Sequence, residues 1–459
     1  MRRRTPTRFL PPASLAGSLS LILAPAIAGH ADESAVAAPA ATITVTNCNN
    51  SGPGSLRAAV ANAANGDRID LTALMCNRIL LTSGAIQAPQ NNLELVGRGY
   101  WALTIDGNRS GRVFDHSGTG TLRFRRVSIT NGYLTGTEVW GGCIHSLGGV
   151  ELIGSRLHHC VLQAHGGLAP YALGGGVYAP RVLLSHSSAY ANVAGVDENG
   201  SEGGGGAVSA VEVVLHHSQV HGNRAVEGGG VYGGGSVTAT SSLIHDNEAD
   251  GAGGGIFVSA NTLTLNKSTV SANRAIVGGG IYAGRADGVT IIESTVSDNV
   301  ALQFGAASLP FAGPTNDINS RIFNSTIVFN REEPSPPVEC RGAIGAYQLR
   351  LESSIVSRNT CSLGGDNDIY GDASFGSQIV GGNNIIGRSD LPVPPDTISA
   401  RPRLGPLTDN GGPTPTHKPQ ADSPALDRGS NPLNHQYDQR GSGFPRVKGG
   451  FPDIGAVER

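Results

Sequence analysis

The residues best suited to chemistry are histidines that recur at regular intervals. His158, Tyr190, His221 and His245 hold one place in a repeated six-residue block, and His186 and His217 share a second place. If successive blocks stack like neighbouring strands, about 4.8 Å apart, each set becomes a column of rings, the two columns about 13 Å apart. Such imidazoles can ligate a metal, with His221, His245 and Asp246 as the set. Alternatively their faces can carry a glycan or a protein surface, or they are plain half-exposed strand residues. A second group is acidic: Asp409, Asp427, Asp438, Asp453 and Glu458, with Arg440 among them. Converging carboxylates bind calcium or work as an acid–base pair. The Pro and Gly around them favour tight turns closed by backbone bonds and Arg440 instead. A third set is Lys267 as a base, with Asp246 and Asp298 as carboxylates that recur two repeats apart. Lys267 also matches Glu293 on the adjacent repeat, where a salt bridge is the competing reading.

The block that positions these residues reads Ser, any residue, aliphatic, two variable residues, Asn. It occurs at 187–192, 218–223, 242–247, 268–273, 294–299, 325–330 and 354–359. The Asn-to-Asn intervals are 31, 24, 26, 26, 31 and 29 residues, and the aliphatic slot runs from Ala189 and Val220 to Ile327 and Val356. Residues 155–160 fit with Cys160 in place of Asn, and Asn131 extends the series upstream. A Gly-Gly-Gly-aliphatic-aromatic block precedes the later copies, at 174–178, 228–232, 253–257 and 278–282, with fainter copies at 141–145 and 205–209. Within the Ser block the period is two, so Ser and the aliphatic point inward. Asn repeated at one place builds a hydrogen-bonded ladder inside a turn, and Gly triplets admit close backbone approach. The connections lack amphipathic helices, which excludes a βαβ arrangement.

The expected fold is therefore all-β, a single right-handed parallel β-helix solenoid with a short N-terminal capping helix and an irregular C-terminal cap. Residues 48–66 hold the capping helix, in which Ser55 is the cap and Leu56, Ala59, Val60 and Ala63 share a face. Residues 67–391 form the β-helix, and 392–459, rich in Pro, Gly and Asp, the C-terminal cap. Both ends need covering because an open coil is an exposed sheet edge. Residues 1–31 read as an export signal, with Arg2, Arg3, Arg4 and Arg8 before an apolar run at 15–28. That run is too short for a membrane span. Residues 32–47 are an Ala-rich lead-in.

Glycine makes up 66 of the 459 residues, while charged residues are 15% and aromatics 5%. The low charge and absent collagen period point to a packed repeat array. Losing residues 1–31 removes four arginines and no acid, shifting the net charge from −3 to −7. That argues against nucleic acid as the partner. The six cysteines, Cys48, Cys76, Cys143, Cys160, Cys340 and Cys361, show no zinc spacing. Fifteen pairings are open to them. The sequential one, 48–76, 143–160 and 340–361, is expected in an exported chain.

The repeats resemble those of polymorphic outer-membrane proteins, with Val or Ile where those carry Phe. The tail is the more specific match. Asp409-Asn410-Gly411-Gly412-Pro413, Ser423-Pro424-Ala425-Leu426-Asp427, Asp438-Gln439-Arg440-Gly441 and Asp453-Ile454-Gly455-Ala456 follow in order. They resemble the C-terminal signature of the bacterial choice-of-anchor Q β-helix family. The head, Ser51-Gly52-Pro53-Gly54-Ser55-Leu56-Arg57, resembles the CSLREA-type region, with Gly54 and Ala58 replacing its Cys and Glu. The resemblance implies a cell-surface or secreted setting and names no reaction; with the chain ending at Arg459, a freely secreted product is expected. The expected function is non-catalytic binding of polysaccharide or cell-surface partners, with no cofactor beyond a possible calcium ion. An extracellular lyase or hydrolase acting on an acidic polysaccharide is the alternative, and the oligomeric state is open.

Overall fold

The computed structural model describes residues 40–166, 170–196, 202–310, 318–334, 339–364 and 367–459. The expected export signal and most of the lead-in lie outside them. Every named strand pairs in parallel with strands one coil away, as in Leu243–His245 beside Gln219–His221 and Thr269–Ser271. One coil illustrates the path. Val231–Thr240 runs along two faces, Leu243–His245 forms a third, and Glu248–Ala249 begins the return. The Leu243–His245 face is a twelve-stranded sheet that runs from Arg78–Leu80 to Ile385–Ile386. No helix among the described residues is long and apolar enough to cross a membrane.

The Ser block builds this face as its period requires. The aliphatic slots, Ala189, Val220, Ile244, Val270, Val296, Ile327 and Val356, are fully buried. The serines and asparagines of the block are buried too, and hydrogen bonds between coils offset their desolvation. Ser218 N–H donates to Ser242 Oγ at 3.1 Å. Asn223 donates to Asn247 Oδ1 twice, from its backbone at 3.1 Å and from Nδ2 at 2.9 Å. This ladder starts at Cys160, whose N–H donates to Asn192 Oδ1 at 3.0 Å. It ends on Asp368 Oδ1, which accepts from Asn359 Nδ2 at 2.7 Å. Asn131 is not a member: Thr130 pairs with His158, which places Gly132, not Asn131, opposite Cys160.

In the repeated Ser-block coils two left-handed corners bound the strand of this face, and they break the alternation read from the sequence. His186, His217, Lys267 and Glu293 hold the corner before the Ser, with φ of 50°, 47°, 51° and 43°. Asp246, Asp298 and Arg358 hold the corner before the Asn, with φ of 53°, 59° and 62°. Such residues project from a vertex of the coil, not from the flat of a strand. Glycine is required where the next coil presses in. A Cβ on Gly229 would lie 2.3 Å from the Glu248 carbonyl of the next coil, while one on Gly228 (φ 57°) would lie 2.3 Å from the Val231 carbonyl of its own turn.

The N-terminal helix is Leu56–Asn62, capped by Ser55, which accepts from Ala58 N–H at 3.2 Å. Leu56, Ala59 and Val60 are buried, and Gln90 Nε2 donates to the Val60 and Ala63 carbonyls beyond them. Thr42–Thr44 already pairs with Arg68–Asp70, so the first coil starts within the Ala-rich segment. The disulfides are 48–76, 143–160 and 340–361, the sequential pairing.

Residues 392–459 are irregular as expected, but much of the segment lies along the side of the rod as a strap. Thr269 Oγ donates to the Pro415 carbonyl at 2.8 Å, Thr295 Oγ to Gln439 Oε1 at 2.6 Å, and Ala456 N–H to Thr326 Oγ at 3.0 Å. Val328, Ile355 and Ile385 from the coils and Ala425 and Ile454 from the strap form one buried apolar cluster. The outward residues of the twelve-stranded face are thus buried from Thr269 to Ser357, and half-exposed at His158, Tyr190, His221 and His245.

Candidate functional site

The open part of the face carries the expected ring column. His158, Tyr190, His221 and His245 stack in order with centroids 4.8, 5.1 and 4.9 Å apart and planes within 5°, 5° and 12°. Because the rings cover one another, their interior faces are closed to a sugar; the edges, with their polar atoms, remain for hydrogen bonding. His158 lies 2.8 Å from Ser128 Oγ and 2.7 Å from His159 Nδ1. Burial, with His159 and Arg156 nearby, pulls His158 down to about 4, and burial beside His245 lowers His221. Burial thus favours the neutral form at His158 and His221. At its head, Arg156 stacks 3.3 Å from the centroid of Trp101, an exposed aromatic at 76%.

His221 and His245 with Asp246 offer no three-ligand set. His245 Nδ1 bonds to Asp246 Oδ2 at 2.6 Å, and His221 stacks on the opposite side of His245 from Ser271. At the other corner, His186 and His217 stack with centroids 5.0 Å apart. His216, which the sequence reading did not single out, stands edge-on to His217 at 4.4 Å and 86°.

Lys267, Asp246 and Asp298 do not form one site. Lys267 lies beneath the strap, where Nζ pairs with Glu293 at 3.0 Å and donates to the Tyr437 and Asp438 carbonyls at 2.9 and 3.0 Å. Asp298 accepts from Ser297 Oγ at 2.7 Å at the opposite corner, where His417 Nε2 also meets Ser297. The acids of the tail are likewise distributed among separate contacts. Asp438 grips Arg440 and accepts from Glu458 N–H, while Asp453 accepts from the backbone of Asp427 and Arg459. Glu458 accepts from Asp453 N–H and pairs with Arg446 at 3.2 Å. Asp409 accepts from Gly411 N–H, and Asp427 is a left-handed turn residue. Among the described residues these five carboxylates hold no three-ligand group that could grip a cation. Their bonds fasten the strap.

A further group of charged side chains lies elsewhere. Between the last coils and the strap is a cleft of ≈ 960 Å³ lined by Arg358, Arg401, Arg403 and Arg428 over Phe329. It continues into a second cavity of ≈ 490 Å³ that shares Phe329, Arg358 and Arg401 and adds Arg388. Arg403 pairs with Asp422. The other four guanidinium groups make no hydrogen bond or ion pair with the described residues, although Arg358 lies 5.4 Å from the Phe329 ring. Across the two adjoining cavities five arginines face two carboxylates, Asp422 and Asp368, which creates a local positive potential despite the acidic balance of the chain. The cleft suits carboxylate or sulfate groups, which guanidinium recognises in bidentate fashion. The sequence reading missed it because its residues come from two coils and two stretches of strap.

No family model and no curated protein matches this chain. Among solved structures it is similar to a crystal structure of pectate lyase Pel9A, with a TM-score of 0.48 and 14% identity over 92% of this chain and 98% of that one.

Proposed function

We propose that this protein is an exported, non-catalytic β-helix rod that binds an acidic polysaccharide. The observation that carries this reading is the pair of adjoining cavities lined by Arg358, Arg388, Arg401 and Arg428, whose guanidinium groups make no ion pair with the described residues. A stiff rod presenting a charged cleft at one end and a ladder of polar ring edges further along suits a long ligand held at several points. Three disulfides support an extracellular setting. Membership of the choice-of-anchor Q family belongs to the same proposal, since its motif residues Asp438, Gln439, Arg440 and Asp453 are those that hold the strap.

The non-catalytic part rests on the fate of the expected base: Lys267 is consumed by Glu293 and two strap carbonyls. The test incubates the mature protein with polygalacturonate, alginate, a sulfated glycan and neutral dextran, recording affinity, ultraviolet absorbance and reducing ends. Binding to charged polymers that weakens with salt, with no new chain ends, is expected. Retention of dextran equal to that of the acidic polymers would overturn the ligand class. Growth of unsaturated uronate absorbance or of reducing ends would make the protein an enzyme.

A further inference from the structure

We infer that His186, His216 and His217 bind a divalent transition-metal ion of the zinc class, with one coordination position left open. Two adjacent coils supply the ligands. His216 ends the strand Val208–His216, His217 turns the left-handed corner after it, and His186 turns the same corner one coil earlier. The stacking register sets this arrangement, with His186 N–H donating to the His216 carbonyl at 2.9 Å. Ligating nitrogens of all three residues lie within 4.8 Å of one another. Small rotations of these surface rings reach the spacing that tetrahedral zinc requires, with Zn–N bonds of about 2.0–2.1 Å.

Two features favour a metal over a chance meeting of histidines. His186 Nδ1 is bonded to Ser185 Oγ at 3.1 Å, which leaves Nε2 as the ligating nitrogen and fixes the ring as an outer-shell partner does. Among the described residues no carboxylate joins the three histidines, so a fourth position remains for water or a ligand. His186 also lines a groove of ≈ 600 Å³ with Arg68 and Arg126 at its edge, so the open position borders cationic surface suited to an anionic fourth ligand. The inference does not depend on the polysaccharide reading.

The test is calorimetry of the untagged mature protein with zinc chloride, and the visible spectrum of its cobalt(II) form. One equivalent bound, with the intense bands of a four-coordinate ion, is expected. Replacing His216 by Ala should weaken zinc at least about a hundredfold, the upper end of the loss from an outer-shell change. His221→Ala, in the neighbouring column, should leave zinc affinity within about twofold. Equal weakening by H216A and H221A would mean a diffuse histidine surface and overturn the site, as would the absence of stoichiometric binding. Unchanged melting of metal-free H216A keeps a folding defect from explaining a positive result.

Discussion

Lys267 and Glu293 occupy the same left-handed corner on consecutive coils and form a 3.0 Å ion pair, with the Glu293 carboxylate wholly buried. The strap covers the pair: Lys267 reaches the Tyr437 and Asp438 carbonyls, and His435 Nδ1 lies 3.0 Å from Glu293. A residue with the chemistry of a base thus serves as a latch. Lys267→Met leaves a buried carboxylate with a single partner and should cost about 2–4 kcal/mol. The loss should fall on the strap, so limited proteolysis should release fragments from residues 392–459 before the β-helix is cut. A tail as resistant as that of the parent would remove the latch from the account.

The Asn ladder should be the most sensitive polar feature of the coils. Asn247→Ala removes the acceptor of two Asn223 donors and leaves the Val220 carbonyl without its side-chain partner. Asn223 Nδ2 keeps the Ala189 and His221 carbonyls as acceptors, so two groups lose their partner, and at about 1–3 kcal/mol each a total loss of about 2–6 kcal/mol is expected. Urea unfolding measures it, and an unchanged midpoint would show the ladder to be dispensable.

Two groups should tilt the pH dependence of stability in opposite directions. Burial pushes Glu458 up to about 7, against the opposing pull of Arg446. Its folded pKa lies above its unfolded one, so its contribution is full below about pH 4.5 and declines as pH rises to about 7. His158 is displaced downward, to about 4, so its contribution is full above about pH 6.5 and is lost on acidification. The stability of the parent minus that of E458Q should therefore fall from pH 4.5 to 7, and the parent minus H158Q should rise from pH 4 to 6.5. Thermal melts across that range read both slopes, and a slope of the wrong sign would remove the corresponding burial argument.

The repeat was legible because it is local. A period of two buries Ser and the aliphatic slot, and the position of Asn192 recurs up to Asn359. The corners were not legible as corners. Taken as strand positions, His186 and His217 form a column of two, and only the left-handed turn at His217 gives His216 its place beside them. The path of the tail escaped for another reason. Its contacts with Lys267, Thr295 and Thr326 span more than a hundred residues and follow no period. The arginine cleft depends on that path, since Arg401 and Arg428 meet Arg358 only once the strap has folded back.

The central claim is that unpaired arginines in the cleft hold an acidic polymer. The most direct measurement is the affinity of R358A/R401A for polygalacturonate at low and moderate salt, beside the parent and beside R274A, whose arginine pairs with Glu333 on the open surface. We expect the double variant to lose about ten- to a hundredfold in affinity at low salt, because two charge-assisted contacts disappear. Its salt dependence should be shallower, its melting temperature close to that of the parent, and R274A nearly silent. Parent-like binding by R358A/R401A would contradict the claim and move the polysaccharide to another face of the rod.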